Sequence, residues 1–224
     1  MSKRLVLVVL IAALAAGLGL WASQQLHGPA APAAPAAPAL PATRAVTLLP
    51  TPRVLPAFAL QQADGTALTP DTLKGHWTVV FLGFTHCPDV CPTTLAELAG
   101  AQKQWAALPA ATRPRVLFVS ADPERDTPQL VAQYAHAFHP DTLAATAPVP
   151  QLEAFARSLS LVFMKVPGPS GDAADYSIDH SAALVLLDPQ ARMAGVVQPP
   201  FDVKGIAADL ETLTAQTANP ASAK

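Results

Sequence analysis

Charge is scarce in this 224-residue chain: 14 lysines and arginines stand against 16 aspartates and glutamates, a charged share of 13% and a net charge of −2. No basic surplus invites nucleic acid, and no acidic run describes a disordered activator. Methionine is also rare, at three residues, which excludes a methionine-rich strip for passing soft metals. No H-E-x-x-H pair is present, so the usual zinc-protease helix is excluded. Cysteine occurs only at Cys87 and Cys91, and none directly follows the N-terminal apolar run, which excludes a lipid anchor on cysteine there.

What is plentiful is apolar: 51% of residues are hydrophobic, enough to bury one domain with residues left over. Much of that lies in LVLVVLIAALAAGLGLWA, residues 5–22, about the length a helix needs to cross a bilayer core. Lys3 and Arg4 precede it and no basic residue follows until Arg44, so the N-terminus is expected in the cytoplasm and the remainder exported. A cleaved signal peptide competes with an anchor. The apolar run is longer than such peptides use, and Leu20-Trp21-Ala22 is a poor cleavage site, which favours the anchor.

Twenty-four prolines against 11 glycines are lopsided. GPAAPAAPAAPALPA repeats proline every third residue, the composition of a solvated polyproline II spacer. The expected organisation is a membrane segment with its flank over 1–27, a Pro/Ala-rich linker over 28–56, a globular domain over 57–217 and a tail over 218–224. Within the domain, FALQQADGTALT predicts a hairpin turning at Asp64-Gly65. WTVVFLGF (77–84) and PRVLFVSA (114–121) read as buried strands, and the first is followed by a helix starting at Pro92. Thr127-Pro128 opens a second helix and PQLEAFARSL a third. SLVFMKV is a strand, VPGPSGDAADYS a polar loop, SAALVLLDPQARMAGVVQ two strands about Asp188-Pro189, and VKGIAADLETLTAQT the closing helix. This order predicts an α/β, thioredoxin-like fold with insertions, preceded by the transmembrane helix and linker.

Cys87 and Cys91 are spaced C-x-x-x-C, each followed by proline, at the C-terminal end of the first buried strand. Sites of open α/β sheets collect there. With the helix starting at Pro92, both sulfurs are expected to feel its positive end, which favours thiolate. An exported pair of thiols is a disulfide, a metal site or a pair kept reduced by a partner. The loop still permits a disulfide if the Cα atoms come within about 7 Å. A metal needs a third ligand. His27 lies in the juxtamembrane stretch, His76 before the first strand, and His136 and His139 on or just past a helix. His86 adjoins Cys87, where joint ligation is awkward. His180 immediately precedes SAALVLLD, in the turn that faces the cysteines of a thioredoxin-like sheet. Thioredoxins carry a cis-proline there, and this chain has no proline between Pro169 and Pro189. On position alone His180 is equally a ligand or an ordinary loop histidine. A Cys2His set is soft, suits Cu(I) and can accommodate Cu(II), whereas zinc prefers a fourth ligand.

Three separated motifs, GFTHCPDVCPTT, SADPERDTP (120–128) and DYSIDHSAALVLLDP (175–189), together resemble the Sco/SenC family in order and spacing. The resemblance covers the domain from about Phe58 to the closing helix. It implies a membrane-anchored thioredoxin-like protein of the bacterial inner membrane, with its domain in the periplasm. It further implies one copper per chain, Cu(I) or Cu(II), held by Cys87, Cys91 and His180. The implied partner is the copper-site subunit of cytochrome c oxidase, which would receive copper or have its cysteines reduced, alongside another copper chaperone or thiol reductant. Asp122 is a candidate for tuning the site or touching a partner, although Glu124 and Arg125 also fit a solvated pair and Asp126 or Thr127 a helix cap. Asp179 is a candidate for orienting the imidazole of His180.

Three rivals use the same residues. A thiol-disulfide oxidoreductase would use Cys87 and Cys91 without copper and would not need His180. A peroxiredoxin-type peroxidase would require P-x-x-x-T-x-x-C, and the proline is missing before Cys87. A purely structural domain would use the pair as a disulfide staple.

Overall fold

The computed structural model describes residues 2–26 and 41–218. His27 and the Ala/Pro-rich run over 28–40 lie outside the described residues. The chain forms two separate units. In the first, α1 (Lys3–Leu26) is apolar throughout its middle and carries no acidic residue. Its stretch Lys3–Gln24 is long and apolar enough to cross a membrane.

The second unit is built on a six-stranded sheet. In chain order its elements are β1 (Thr47–Arg53), β2 (Leu60–Gln61), β3 (Ala67–Leu68), α2 (Pro70–Leu73), β4 (Thr78–Gly83), α3 (Val90–Trp105), β5 (Arg115–Ser120) and α4 (Pro128–His136). They continue with β6 (Leu143–Ala145), α5 (Val149–Ser158), β7 (Phe163–Pro167), β8 (Tyr176–His180), β9 (Leu184–Leu187), β10 (Met193–Val197) and α6 (Val203–Ala218). The sheet is ordered β1-β10-β9-β4-β5-β6; β4, β5 and β6 run parallel to one another, and the pairs β4–β9, β9–β10 and β10–β1 are antiparallel. This is the expected thioredoxin-like α/β arrangement with insertions.

β4 and β5 are near-continuous apolar runs, the pattern of interior strands buried on both faces. Val79 to Leu82 and Val116 to Val119 are essentially inaccessible to solvent. Each such side chain contributes about 1.5–3 kcal/mol through burial. α3 and α6 pack side by side, with the Trp105 indole N–H donating to the Ala207 carbonyl at 3.1 Å. Thr127 caps α4 as expected, its hydroxyl accepting from the Leu130 amide.

The linker expectation needs correction at its C-terminal end. Thr47–Arg53 forms β1, Val46 and Leu55 are buried, and the Asp209 carboxylate on α6 accepts the amides of Arg44, Ala45 and Val46 at 2.8–3.0 Å. Pro50 and Pro52 disguised the strand. β1 is an edge strand whose register shifts between Leu48 and Arg53, the setting in which a sheet tolerates proline. α3 begins at Val90 rather than at Pro92, with Asp89 in the N-cap position but making no side-chain cap bond. Pro92 is its third residue, where the amide has no helical partner and the residue four positions back lies outside the helix. The stretch YSIDH, read partly as loop, is β8; it pairs only with β7, in a hairpin separate from the main sheet.

Candidate metal centre

The parallel register of β4 and β5 brings Gly83 beside Ser120, and the chain leaves the top of β4 directly into the cysteine turn. β9 runs antiparallel to β4, pairing Val185 with Val80 and Leu187 with Thr78. The N-terminal end of β9 therefore lies toward the cysteine end of β4, and His180 arrives just before it. Residues 89 positions apart in sequence meet: His180 Nε2 lies 3.6 Å from Cys91 Sγ.

The imidazole is prepared for that contact. Its Nδ1 lies 3.1 Å from the Ser181 carbonyl, so Nδ1 carries the proton and Nε2 presents a lone pair toward the sulfur. The ring stands edge-on to Phe81 and Phe84, both with centroids 6.1 Å away. Burial in these apolar walls pushes the His180 pKa down and favours the neutral, ligating form, over the weaker opposing effects of the Ser181 carbonyl and the Asp179 charge. Among the described residues no hydrogen bond joins Asp179 to the ring, on which it acts through its charge. It is exposed and pairs across from Met164, because strand alternation turns it to the other face.

Both cysteines are free, but they are not equivalent. Cys87 is half-buried. Burial raises its thiol, yet the amides of Asp89, Cys91 and Val90 and the Cys91 thiol outweigh burial and hold its pKa below the ordinary value. The Cys91 amide donates to the Cys87 sulfur at 3.4 Å. Cys91 has no exposure, and burial pushes its thiol far up, reinforced by the nearby charges of Cys87 and Asp126. The expectation that the helix end favours thiolate at both sulfurs therefore holds for Cys87 alone.

Two further residues shape the turn: Gly83, given no role in the sequence, and Asp126, expected only as a helix cap. Gly83 permits the Cys91 sulfur to settle on β4: a Cβ there would meet Cys91 Sγ and Phe118 Cε2, each at 2.9 Å. Asp126, wholly buried, is a node between the strand ends rather than a helix cap. Its carboxylate accepts the Thr85 amide at 2.8 Å, the Thr85 hydroxyl at 2.5 Å and the Ser120 hydroxyl at 2.5 Å. The position of Gly83, directly before the motif Phe84-Thr85-His86-Cys87, was its only sequence signal.

Asp122 is buried, but its partners are Arg125 Nε at 2.5 Å and the Tyr176 hydroxyl at 2.9 Å. With His86 and Asp126 it forms a group whose potential ligand atoms lie within 4.8 Å of one another. Protein donors already occupy those oxygens and Arg125 supplies the cation, so the group is a hydrogen-bonded support. Two thiols and a neutral imidazole form the soft donor set, suited by chemistry to a thiophilic ion or, without metal, to disulfide exchange.

The sequence model of the SCO1/SenC family matches residues 47–215, a span containing all three donors. A putative copper-binding protein of Stutzerimonas stutzeri is 35% identical over 163 residues, which cover 72% of this chain and 77% of that protein. Protein SCO1 homolog 1, mitochondrial, of Arabidopsis thaliana is 38% identical over 136 residues, 59% of this chain and 39% of that protein. The chain thus spans less than half the length of that mitochondrial relative. Among solved structures, copper-bound ScoI of Arabidopsis thaliana is similar with a TM-score of 0.66 and 32% identity, over 73% of this chain and 99% of that one. Apo Sco1 of Thermus thermophilus is similar with a TM-score of 0.67 and 31% identity, over 76% and 97%.

Proposed function

The chain belongs to the SCO1/SenC family, and from that premise we propose that it is a membrane-anchored copper carrier for assembly of the binuclear copper site of cytochrome c oxidase. The observation that carries this reading is the approach of His180 Nε2 to Cys91 Sγ at 3.6 Å, which completes a Cys2His donor set with Cys87. Copper is the cargo, one ion per chain, with Cys87, Cys91 and His180 as its holders. Cys87 is already disposed to lose its proton; Cys91 loses its own when a cation offsets the burial that keeps it protonated. The copper-bound relatives support copper as the cargo. Lys3–Gln24 is the anchor, with Lys3 and Arg4 on the cytoplasmic side of a bacterial inner membrane and the domain in the periplasm.

The cysteine asymmetry favours a second use of the same pair, reduction of the oxidase cysteines that later bind copper. The Cys87 thiolate attacks a sulfur of the partner's disulfide and forms a mixed disulfide, releasing the other partner sulfur as thiolate. Cys91 then loses its proton and attacks Cys87, closing the Cys87–Cys91 disulfide and freeing the second partner thiolate. Two electrons pass to the partner, and a further thiol reductant must restore the pair.

The test is anaerobic titration of the reduced full-length chain in detergent with Cu(I) and with Cu(II), repeated for His180→Ala. One copper per chain is expected, with retention weakened by the substitution. Tight binding indifferent to His180 overturns the ligand assignment. No uptake by the reduced chain leaves an exported thiol-disulfide oxidoreductase that works without copper.

A further inference from the structure

Among the described residues β7 and β8 pair only with each other, so the strand that presents His180 has no backbone ladder to the sheet that presents the cysteines. Along β8, Tyr176, Ile178 and His180 share one face, with Ile178 buried between the other two. His180 ends this row against Phe81 and Phe84. Tyr176 begins it, about 13 Å away at 3.3 Å per residue, in a different environment.

There the Tyr176 ring lies between two cations, the Arg125 guanidinium 3.6 Å from its centroid and the Lys165 ammonium 3.8 Å from it. Its hydroxyl donates to Asp122 at 2.9 Å, and its carbonyl accepts from Arg125 Nη1 at 3.1 Å. Arg125 Nε closes the loop on Asp122 at 2.5 Å, and Lys165 reaches Glu124 at 2.6 Å. Asp122 is 2% exposed and Arg125 22%, so separating them strands charges that burial penalises heavily when unpaired. Asp122 in turn is seated on the sheet, its amide donating to the Ser120 hydroxyl at 3.1 Å.

We propose that Asp122, Arg125 and Tyr176 form a latch that clamps the β7–β8 hairpin to the end of β5 and thereby holds His180 against the cysteine turn. The segment Asp122-Pro123-Glu124-Arg125 thus has a task that capping of α4 by Thr127 does not explain. All three are positioning residues: they act through β8 and touch neither sulfur. The consequence for cargo rests on the copper reading above, whereas the clamp itself does not.

The test uses the full-length chain with Tyr176→Phe, which keeps the ring and removes the hydroxyl, and Arg125→Gln, each alone and combined with His180→Ala. Without copper, amide exchange at residues 176–180 is expected to quicken about tenfold while β9 and β10 keep their protection. With Cu(I) loaded, removal by the chelator bathocuproine disulfonate is expected to quicken about tenfold when His180 is present and not at all in the His180→Ala background. Unchanged exchange at 176–180 overturns the clamp. Unchanged copper loss, or equal acceleration in both backgrounds, overturns the positioning of His180. If the unsubstituted chain takes up no copper, the copper reading falls and the exchange result still decides the clamp. Tyr176→Phe carries both measurements should Arg125→Gln fail to fold.

Discussion

Cys91 lies without exposure on a helix packed over a six-stranded sheet, whereas His180 ends a two-stranded hairpin that shares no ladder with that sheet. The cysteine side is fixed by backbone pairing, by the close seat at Gly83 and by Asp126, which ties Thr85 to Ser120. The histidine side is fixed by ring packing at one end and charged side chains at the other. A disulfide draws two sulfurs to about 2.05 Å, so the backbone beneath them must hold while they move, and a rigid base serves that. A third donor on a separately held hairpin can leave without disturbing the base, which suits the uptake and release that the proposed copper role requires.

The largest effect expected on the rigid side comes from Asp126→Ala. It leaves the Thr85 amide and the hydroxyls of Thr85 and Ser120 without their buried acceptor. Loss of about 3 kcal/mol of domain stability is expected in denaturant unfolding. A loss below about 1 kcal/mol would show that the cysteine turn is not anchored there. Gly83→Ala comes next. Its methyl group would crowd Cys91 Sγ and Phe118 at 2.9 Å, so about 1–3 kcal/mol of overpacking is expected together with displacement of the sulfur and weaker copper retention. Unaltered stability and retention would mean that the seat is looser than its geometry.

Native-state amide exchange compares the two sides directly. The amides of β7 and β8 should open locally and exchange at least about tenfold faster than those of β4 and β5, which open only with the whole domain. Equal protection would erase the distinction between base and hairpin.

Much of this contrast was legible in the sequence, but unevenly. Buried strands announce themselves through unbroken apolar runs such as Val79-Val80-Phe81-Leu82, and the break into a proline-flanked cysteine pair marks the top of one of them. Chain order then implies that the segment before β9 faces that top, which located His180. β1 was missed because Pro50 and Pro52 resemble linker, and only its edge position with shifted register makes them tolerable. β8 was hidden because its partner is a hairpin strand and its inward face holds one apolar residue, Ile178, between Tyr176 and His180. The split between the two thiols depends on burial differing across four residues of one turn, which spacing does not encode. Asp126 looked like a cap, and Asp122 like a residue that tunes the site or touches a partner, because their own partners, Thr85 and Tyr176, lie 41 and 54 residues away.

The smallest expected effect concerns the far end of β4. His76 precedes that strand in the rigid half, buried, with its Nδ1 2.8 Å from the Arg113 carbonyl. Burial pushes its pKa below the ordinary 6.5, with the Arg115 charge adding to this and the Arg113 carbonyl opposing it. Above pH 6.5 both folded and unfolded chains keep this imidazole neutral, so it adds no pH dependence. As the pH falls through 6.5 the unfolded chain takes a proton that the folded chain refuses, and stability falls until the folded pKa is passed. The slope from this group cannot exceed about 1.4 kcal/mol per pH unit. His76→Gln should therefore flatten the decline of stability between pH 7 and pH 5, measured by urea unfolding at each pH. Because the fixed half must unfold as a unit to admit that proton, the flattening should appear in the global transition. Flattening confined to local amide exchange near His76, with the global transition unchanged, would show that this end of β4 opens as freely as the hairpin and would break the comparison.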